Sequence, residues 1–508
     1  MVIIYLLIDN NSMKYPFKKL LFLIFFLLLW QGISVAGNYE MGRRYYIQRK
    51  YSLAREFLQK AVEENPNNGD AFFFLGEVEK DEGNYEKAAD YYQKAIARPL
   101  TRKFVKLARW NIIVLTEKRG NYYDMVKASK ATWKRTGDYG AKSKVESIIS
   151  KSLWTDNKEA IELYNKGMDH KRHKRPEEAM AAFREALTKE PGFLAAKFEI
   201  GMDLYTRGDV DGAAGYFQEI VAKVPFYGDL HLLLGDIYYN KKDYSRAVEH
   251  FNLTMDYSFI KKDTEYLIFI KRAKSYFNLK SYEKSEKDIE SALAIKPGGI
   301  EPLSLLSAVY IIREKYPEAL KTLHKLDSLN PKNAEVKFRI GSIQYKQNDE
   351  RYVHTFDNLF DIIKGEAGSE NLPKKYFKAM EILARKLFEK KKYPRAAAVI
   401  DILPSEMKDK EIQTIAAKCY YHTGQYVKAI PHYEKLYLTS DDSLELCIAY
   451  AMGGMKDKSK GVVYRFMKDT SFMNKAGKSE ALKGILKEIA EEQKKDKEKQ
   501  NTLEKKNP

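Results

Sequence analysis

The strongest constraint on the fold is a pattern that recurs about every 34 residues along the chain. Its clearest copy spans residues 227–255 and reads as two short amphipathic helices joined by a polar turn. Gly235 and Ala247 leave room for the two helices to cross closely, and Tyr238 and Phe251 fill the space around the crossing. The segment therefore predicts a helical hairpin with one apolar face.

Further units repeat this arrangement in the same phase. Their first residues are Val35, Gly69, Ala160, Leu194, Tyr266, Ile300 and Lys410. Other stretches carry degenerate copies, such as the one from about Lys106. Since a single hairpin cannot hide its own apolar face, each unit needs a neighbour on either side. The chain is therefore predicted to form a row of stacked hairpins.

The spacing of small and aromatic residues in these units resembles the tetratricopeptide repeat family over most of the chain. The resemblance implies an all-α fold, an α-solenoid superhelix of stacked helix-turn-helix repeats. It also implies a concave groove that binds a ligand, usually a segment of another protein. Together with the N-terminal segment described next, the resemblance suggests an exported bacterial member of the family.

The N-terminus has the composition of a secretory signal peptide. Lys14, Lys18 and Lys19 precede the apolar run 20–30, and Ser34-Val35-Ala36 offers a small-residue cleavage site. Residues 1–36 are therefore predicted to be a signal peptide, with an uncleaved membrane anchor as the open alternative. Either way the chain is expected to be exported and periplasmic, soluble or anchored by this segment.

Changes in the repeat register suggest how the rest of the chain is divided. We predict an N-terminal array at 37–139, a joint helix at 140–159, a central array at 160–368, a C-terminal array at 369–476, a capping helix at 477–493 and a disordered charged tail at 494–508. The cap is expected because a solenoid must cover the apolar face of its last repeat. The tail contains almost no apolar residues.

Charge and cysteine content leave two questions open. The formal net charge of +18 favours acidic partners, and the alternative explanation is a lysine-rich solvated exterior. Cys419 and Cys447 fall on the first helices of adjacent units. They read either as buried small side chains or as a disulfide between neighbouring repeats.

Catalytic signals are weak. Gly477-Lys478-Ser479 lacks the earlier glycine and the strand of a phosphate-binding loop, and Ser281 with Lys284 lacks the companion motifs of an acyl-transfer enzyme. His170 and His173 have no further ligand at zinc spacing. We therefore predict a protein that is not an enzyme and that holds no cofactor and no metal.

The resemblance implies that the ninth and twelfth residues of each first helix point into the concave groove. In this sequence the predicted partner-binding residues are Arg43, Tyr46, Tyr205, Tyr239, Lys274, Phe277, Arg385, Phe388, Lys418 and Tyr421. Aromatic side chains flanked by cations suit an extended or acidic segment of a partner protein. The alternative is that the rings only fill space within their own repeat.

Taken together, these features predict a non-enzymatic scaffold that mediates protein–protein interactions in a bacterial envelope assembly. The alternative is a binder of an anionic envelope polymer or lipid surface that uses the basic exterior. A nucleic-acid partner is not expected, because it fits badly with export. The sequence leaves open the oligomeric state, an inner-membrane tether and the choice among secretion, outer-membrane biogenesis, cell-wall and flagellar-motor machinery.

Overall fold

A computed structural model describes residues 37–366, 373–436 and 438–504, and these residues form 27 α-helices and no strand. The helices fall into two compact units, one ending at Lys296 and one beginning at Pro297. This boundary lies inside the predicted central array 160–368. Residues 1–36 and the predicted joint near residue 368 lie outside the described residues, and no described helix is both long enough and apolar enough to span a membrane.

The first unit contains fifteen described helices. They are α1 (Asn38–Ile47), α2 (Tyr51–Glu64), α3 (Gly69–Asp81), α4 (Tyr85–Ile96), α5 (Arg102–Lys118), α6 (Tyr122–Thr136), α7 (Tyr139–Leu153), α8 (Lys158–Arg172), α9 (Pro176–Lys189), α10 (Leu194–Thr206), α11 (Val210–Lys223), α12 (Gly228–Asn240), α13 (Tyr244–Tyr257), α14 (Lys262–Asn278) and α15 (Tyr282–Ile295).

The second unit contains twelve described helices and one short 3-10 turn, Ser405–Met407. The helices are α16 (Ile300–Ile312), α17 (Tyr316–Leu329), α18 (Ala334–Lys346), α19 (Tyr352–Glu366), α20 (Lys374–Glu389), α21 (Tyr393–Asp401), α22 (Lys410–His422), α23 (Tyr426–Tyr433), α24 (Ser440–Met452), α25 (Lys456–Phe466), α26 (Thr470–Gly477) and α27 (Glu480–Glu504).

In several pairs, a glycine on the first helix faces a large side chain on the second, which lets the two helices cross closely. A Cβ atom added to the glycine would lie 2.5–2.8 Å from the facing ring in Gly76–Tyr92, Gly167–Phe183, Gly201–Phe217 and Gly235–Phe251. That distance is shorter than any side-chain contact allows, so only glycine permits these crossings. The predicted close approach at Gly235, with Ala247 fully buried beside it, is confirmed. The predicted fold class, an all-α solenoid of stacked helix pairs, is confirmed as well.

A residue in the left-handed backbone conformation ends the first helix of most pairs. Glycine occupies this position at Gly83, Gly208 and Gly424, whereas lysine occupies it at Lys242 (φ 60°) and Lys391 (φ 56°). At Lys242 the backbone N–H donates to the carbonyl of Tyr239, which closes the last turn of α12.

In the first unit, α6 packs against helices that are several repeats away. We call the contacts between α6 and residues 226–265 the clasp. Trp133 meets Phe259 edge to face at 5.6 Å, Tyr123 lies 5.8 Å from Tyr257, and Tyr122 and Tyr123 both contact Phe226. Lys134 pairs with Glu265 at 3.1 Å, and the buried Lys130 donates to the backbone carbonyl of Met255. A simple solenoid has contacts only between neighbouring repeats, so the clasp is an addition to that plan.

The predicted joint helix is present as α7 and belongs to the same core as the clasp. Ala141, Val145 and Ile148 are buried on it, and they share a hydrophobic cluster with side chains of α5, α6 and α10–α13. Residues 139–153 therefore pack within the first unit, and the next repeat begins after Asn157, whose side chain caps α8.

The last two helices cover the end of the second unit. The predicted apolar stripe is buried at Leu482, Ile485 and Ile489, which pack with Phe472 and Cys447. However, α27 continues to Glu504, so the predicted disorder from residue 494 is corrected for residues 494–504. Lysine, glutamate and glutamine are good helix formers, and they extend the helix although residues 491–500 are all exposed.

Both cysteines are free and fully buried. Burial raises the pKa of the Cys419 thiol to about 12. The Sγ atom of Cys447 lies 3.2 Å from the hydroxyl oxygen of Ser459. Of the two interpretations, the structure supports small buried side chains and shows no disulfide between the repeats.

Candidate protein-binding groove

All ten predicted groove residues lie on first helices of their pairs, and every one of them is half-buried. Six belong to the first unit, on α1, α10, α12 and α14. Four belong to the second unit, on α20 and α22. Their contacts indicate how much of each side chain is available to a partner.

The aromatic residues at the twelfth position mostly pack against the first residue of the second helix in the same repeat. The ring pairs are Tyr46–Tyr51 (6.2 Å), Tyr239–Tyr244 (6.2 Å), Phe277–Tyr282 (5.7 Å), Phe388–Tyr393 (5.7 Å) and Tyr421–Tyr426 (5.7 Å). These contacts hold the turn between the paired helices together, so one side of each ring has a structural role. Tyr205 differs, because Val210 stands at the corresponding position and no ring of the described residues contacts it.

At the N-terminal end, the predicted residues are tied to the next repeat. The Tyr46 hydroxyl donates to Glu77 (3.1 Å) and Asp81 (3.2 Å) on α3. Burial and these two carboxylates raise the pKa of Tyr46 far above its ordinary value. Arg43 lies 5.9 Å from the centre of the Phe74 ring, which also belongs to α3. Tyr46 and Arg43 therefore join neighbouring repeats, although the Arg43 side chain is still 39% exposed.

The predicted cations are neutralised by acids inside the protein. Arg385 pairs with Glu381 at 2.8 Å, with Asp409 at 3.0 Å and also with Glu411, while Lys418 pairs with Asp442 at 3.1 Å. Lys274 also has a partner within the chain. A cation that already has a carboxylate attracts a second one weakly, so the basic fringe of the predicted groove is weaker than the sequence suggests.

A well-formed apolar cleft lies elsewhere on the first helices, in the second unit. It has a volume of about 440 Å³ and lies between α16, the start of α17, α18 and the start of α20. Its apolar lining is Ala308, Ile311, Ile312, Phe338 and Ile343. Ile312 is 46% exposed, which is unusual for a large aliphatic side chain that lines a cleft. We call this feature the α16–α18 cleft.

The rim of the α16–α18 cleft carries both charge signs. Glu335 accepts hydrogen bonds from Arg339 (2.8 Å) and Lys375 (2.5 Å). Partial burial raises the pKa of Glu335, but these two cations outweigh it and lower the pKa below its ordinary value. On the other side, Lys346 pairs with Glu314 at 3.2 Å. The rim is therefore polar and paired around an apolar floor, as in the interfaces of many protein complexes.

Sequence reasoning missed this cleft although the register contains it. Ala308 and Ile311 are the ninth and twelfth residues of the unit that begins at Ile300, and Ser342 is the ninth of the unit that begins at Ala334. These positions hold small or aliphatic side chains, whereas the predicted groove residues are aromatic or basic.

Comparison with known proteins agrees with this architecture. Family models described as tetratricopeptide repeat match residues 39–100, 164–227, 198–254 and 268–298. Proteins with such repeats generally mediate protein–protein interactions, and such scaffolds are generally non-catalytic.

Solved structures with the same type of repeat are similar at low identity. YrrB, described as a TPR protein with an unusual peptide-binding site, is 16% identical over 36% of this chain and 94% of its own, with a TM-score of 0.31. Yeast Tom70 is 14% identical over 87% of this chain and 98% of its own, with a TM-score of 0.25. A tetratricopeptide repeat protein from Parabacteroides merdae is 15% identical over 51% of this chain and 98% of its own, with a TM-score of 0.30.

The matched segments coincide with helix pairs that cross at glycine, including α3–α4, α8–α9, α10–α11 and α12–α13. The sequence register, the family models and the packing of the helices therefore agree, and the chain is a tetratricopeptide repeat protein.

Proposed function

We propose that this protein is a non-enzymatic scaffold that holds a segment of a partner protein in the α16–α18 cleft. The observation that carries the proposal is the apolar floor of about 440 Å³ on first helices, with Ile312 half exposed at its edge. A cleft of this size accommodates one or two large apolar side chains. Burying Ile312 and Phe338 against such side chains would supply the main favourable free energy of binding.

The rim indicates which kind of segment fits. Because Glu335 is already paired with Arg339 and Lys375, the rim exerts little net electrostatic attraction on a partner. Its hydrogen-bonding groups instead orient the bound segment. An extended segment with apolar anchors therefore fits better than a strongly acidic one. An extended segment with apolar anchors is also expected in the predicted groove of the first unit. Tyr205 is the most available ring there, because no ring of the described residues contacts it.

We further propose that the scaffold works in a bacterial cell envelope, as a structural part of a larger assembly. This part of the proposal rests on the charged, apolar and small-residue pattern of residues 14–36. In this setting the protein would be exported to the periplasm, either free or held at the inner membrane by that segment.

The proposal can be tested with two matched substitutions. Ile312 and Leu329 are the last residues of α16 and α17, and they are 46% and 48% exposed, but only Ile312 lines the cleft. A photo-activated cross-linking residue placed at either position in the full chain should trap an identifiable partner protein only from position 312. Ile312→Ser should reduce capture of that partner, whereas Leu329→Ser should not. Equal capture from both positions would contradict the proposal.

Salt dependence separates this function from binding to an anionic polymer or lipid surface. Attraction between exposed charges falls steeply when ionic strength rises from about 0.05 M to about 0.5 M. Capture through the α16–α18 cleft should persist over this range, since apolar contact dominates it. A separate variant, Tyr205→Ala with Tyr239→Ala, tests the groove in the first unit; an unchanged yield of the partner would exclude a contribution from those two rings.

A further inference from the structure

A second cavity in the first unit has a different chemistry. It has a volume of about 280 Å³ and lies between α4, α5 and α6. Arg109 and Arg135 line it together with Gln93 and Thr132, and Ile96 and Ile112 form part of its apolar wall. It is formed largely by the second helices α4 and α6, so it is separate from the α16–α18 cleft in both position and lining.

The two arginines have no acidic partner. Neither Arg109 nor Arg135 forms an ion pair or a hydrogen bond with any residue that the structure describes. Several other half-buried arginines of the chain do meet a carboxylate: Arg55 pairs with Glu79, Arg272 with Asp288 and Arg395 with Asp357. Arg98 has no carboxylate but donates to the backbone carbonyls of Pro66 and Lys94. Arg109 is half-buried and shares its cavity with a second arginine, whereas the first three of those arginines meet an acid.

This arrangement is electrostatically unfavourable in the absence of an anion. Burial and, to a smaller extent, the nearby charge of Arg135 lower the pKa of Arg109. A cation taken partly out of water needs a counter-charge, and two cations that share one cavity need one even more. The hydroxyl of Thr132 donates to the carbonyl of Ala128, so within the cavity it can only accept. The guanidinium groups and the Gln93 amide are thus the donors available to a ligand.

We propose that this cavity binds a phosphate group, carried by a small phosphomonoester or present as the free ion. A phosphate of this kind carries between one and two negative charges at neutral pH and several acceptor oxygens, so it can balance two guanidinium groups. An arginine forms a pair of hydrogen bonds with two oxygens of a phosphate group. A carboxylate has only two oxygens, so it can bind only one guanidinium in this way at a time. The apolar wall at Ile96 and Ile112 is suited to the carbon skeleton that carries the phosphate.

The test is isothermal titration calorimetry of the full chain with glycerol phosphate, inorganic phosphate and acetate at constant ionic strength. We expect saturable binding of at least one of the two phosphates. Arg135→Gln should weaken that binding by about tenfold or more, since it removes a charged hydrogen-bond donor. Arg135 is exposed, so the substitution should leave the fold intact. Arg184→Gln, which removes an equally exposed arginine on α9, is the matched control and should bind as the unmodified chain does.

The results distinguish the sources of the phosphate. Tighter binding of glycerol phosphate would assign the site to an organic phosphate, while equal binding of inorganic phosphate would assign it to the free ion, and both results support the proposal. Three results would overturn it: no saturable binding of either phosphate, equal weakening by Arg135→Gln and Arg184→Gln, or acetate binding as tight as phosphate.

Discussion

The two units are built from the same helix pairs but differ in the range of their contacts. In the second unit, the substantial contacts among the described helices join members of one pair or of adjoining pairs. In the first unit, the clasp adds contacts between α6 and the region around α13. The hydrogen bond from Lys130 to Met255, for example, joins residues that are 125 positions apart in the chain. The repeat pattern thus specifies pairs and neighbours, whereas a contact between distant repeats needs particular side chains outside the pattern.

The helix that forms the clasp belongs to a degenerate repeat. Met125, Ser129 and Thr132 replace the usual small and aromatic residues of a second helix, and all three are buried. Its outer face carries Tyr123 and Trp133, which contact the distant repeats. Loss of the family pattern in α6 therefore coincides with a new packing role, and four predictions test how far that role reaches.

The largest effect is expected from emptying the core of one helix pair in each unit. Phe251→Ala and Phe356→Ala each remove a ring that is at most 1% exposed and should each lower the free energy of unfolding by about 3–5 kcal/mol. Hydrogen exchange should separate them. Phe251→Ala should reduce protection in α6 as well as in α12 and α13, because the clasp couples these helices, and Phe356→Ala should act only on α18, α19 and their neighbours. Unchanged protection in α6 would mean that the clasp does not couple them.

The second effect comes from cutting the clasp itself. Trp133→Ala removes the edge-to-face contact with Phe259 from a half-buried position, so the free energy of unfolding should fall by about 1–3 kcal/mol. Tyr139→Ala is the control, because Tyr139 lies just after α6 and is 78% exposed. Its effect in urea unfolding should stay within about 0.5 kcal/mol. Equal losses for the two variants would show that the clasp adds no stability.

The third effect is a loss of stability in acid, to which one helix pair of the first unit contributes. His231 Nε2 donates to the carbonyl of Pro225, so its Nδ1 accepts the N–H of His250 Nδ1 at 2.9 Å. Burial, followed by the charges of His231 and Arg246, lowers the pKa of His250 from 6.5 to about 4. Since the unfolded chain binds a proton more readily than the folded one, stability should fall as the pH drops from 6.5 to about 4.

His250→Asn tests this origin of the acid sensitivity, because its amide can still donate to His231 but does not titrate. Thermal unfolding of both proteins at pH 8, where both histidines are neutral, gives the cost of the substitution itself. Below pH 6.5 the melting temperature of His250→Asn should fall less steeply than that of the unmodified chain. Parallel curves would show that the pair does not cause the loss.

The smallest effect is local and should be equal in the two units. Lys242 and Lys391 adopt the left-handed conformation with φ of 60° and 56°, which glycine adopts with less strain. Lys242→Gly and Lys391→Gly should each raise the free energy of unfolding by about 0.5–1 kcal/mol. Lys241→Gly, one residue earlier at φ −73°, should lower it by a similar amount. Unequal gains at 242 and 391 would show that the two turns are under different strain.

The sequence alone was enough to predict the helix pairs, because their information is local. Gly235 and Ala247 mark the crossing, and the apolar stripe at Leu482 marks the cap. The clasp was not predictable in this way, since nothing in the sequence near Trp133 indicates which distant ring it meets. The end of α27 was also missed, because helix propensity continues where burial stops.

The candidate site was predicted only in part. The register placed the groove residues on first helices, yet it could not show that Arg385 and Lys418 already have carboxylate partners. It also favoured rings such as Tyr421, which supports its own turn, over Ile311, which lines an open cleft. Periodicity identifies which positions share a face, whereas the availability of a side chain depends on contacts with other repeats.

The most direct test of the difference between the units is zero-length carbodiimide cross-linking of the full chain, read by mass spectrometry. The reagent joins an amine to a carboxylate only when the two are in contact. Lys134 and Glu265 lie 3.1 Å apart across the clasp, and Lys460 and Glu492 lie 2.7 Å apart between adjacent helices of the second unit. We predict cross-linked peptides for both pairs. Formation of the Lys460–Glu492 product without any Lys134–Glu265 product would contradict the clasp and leave the first unit a simple row of neighbours.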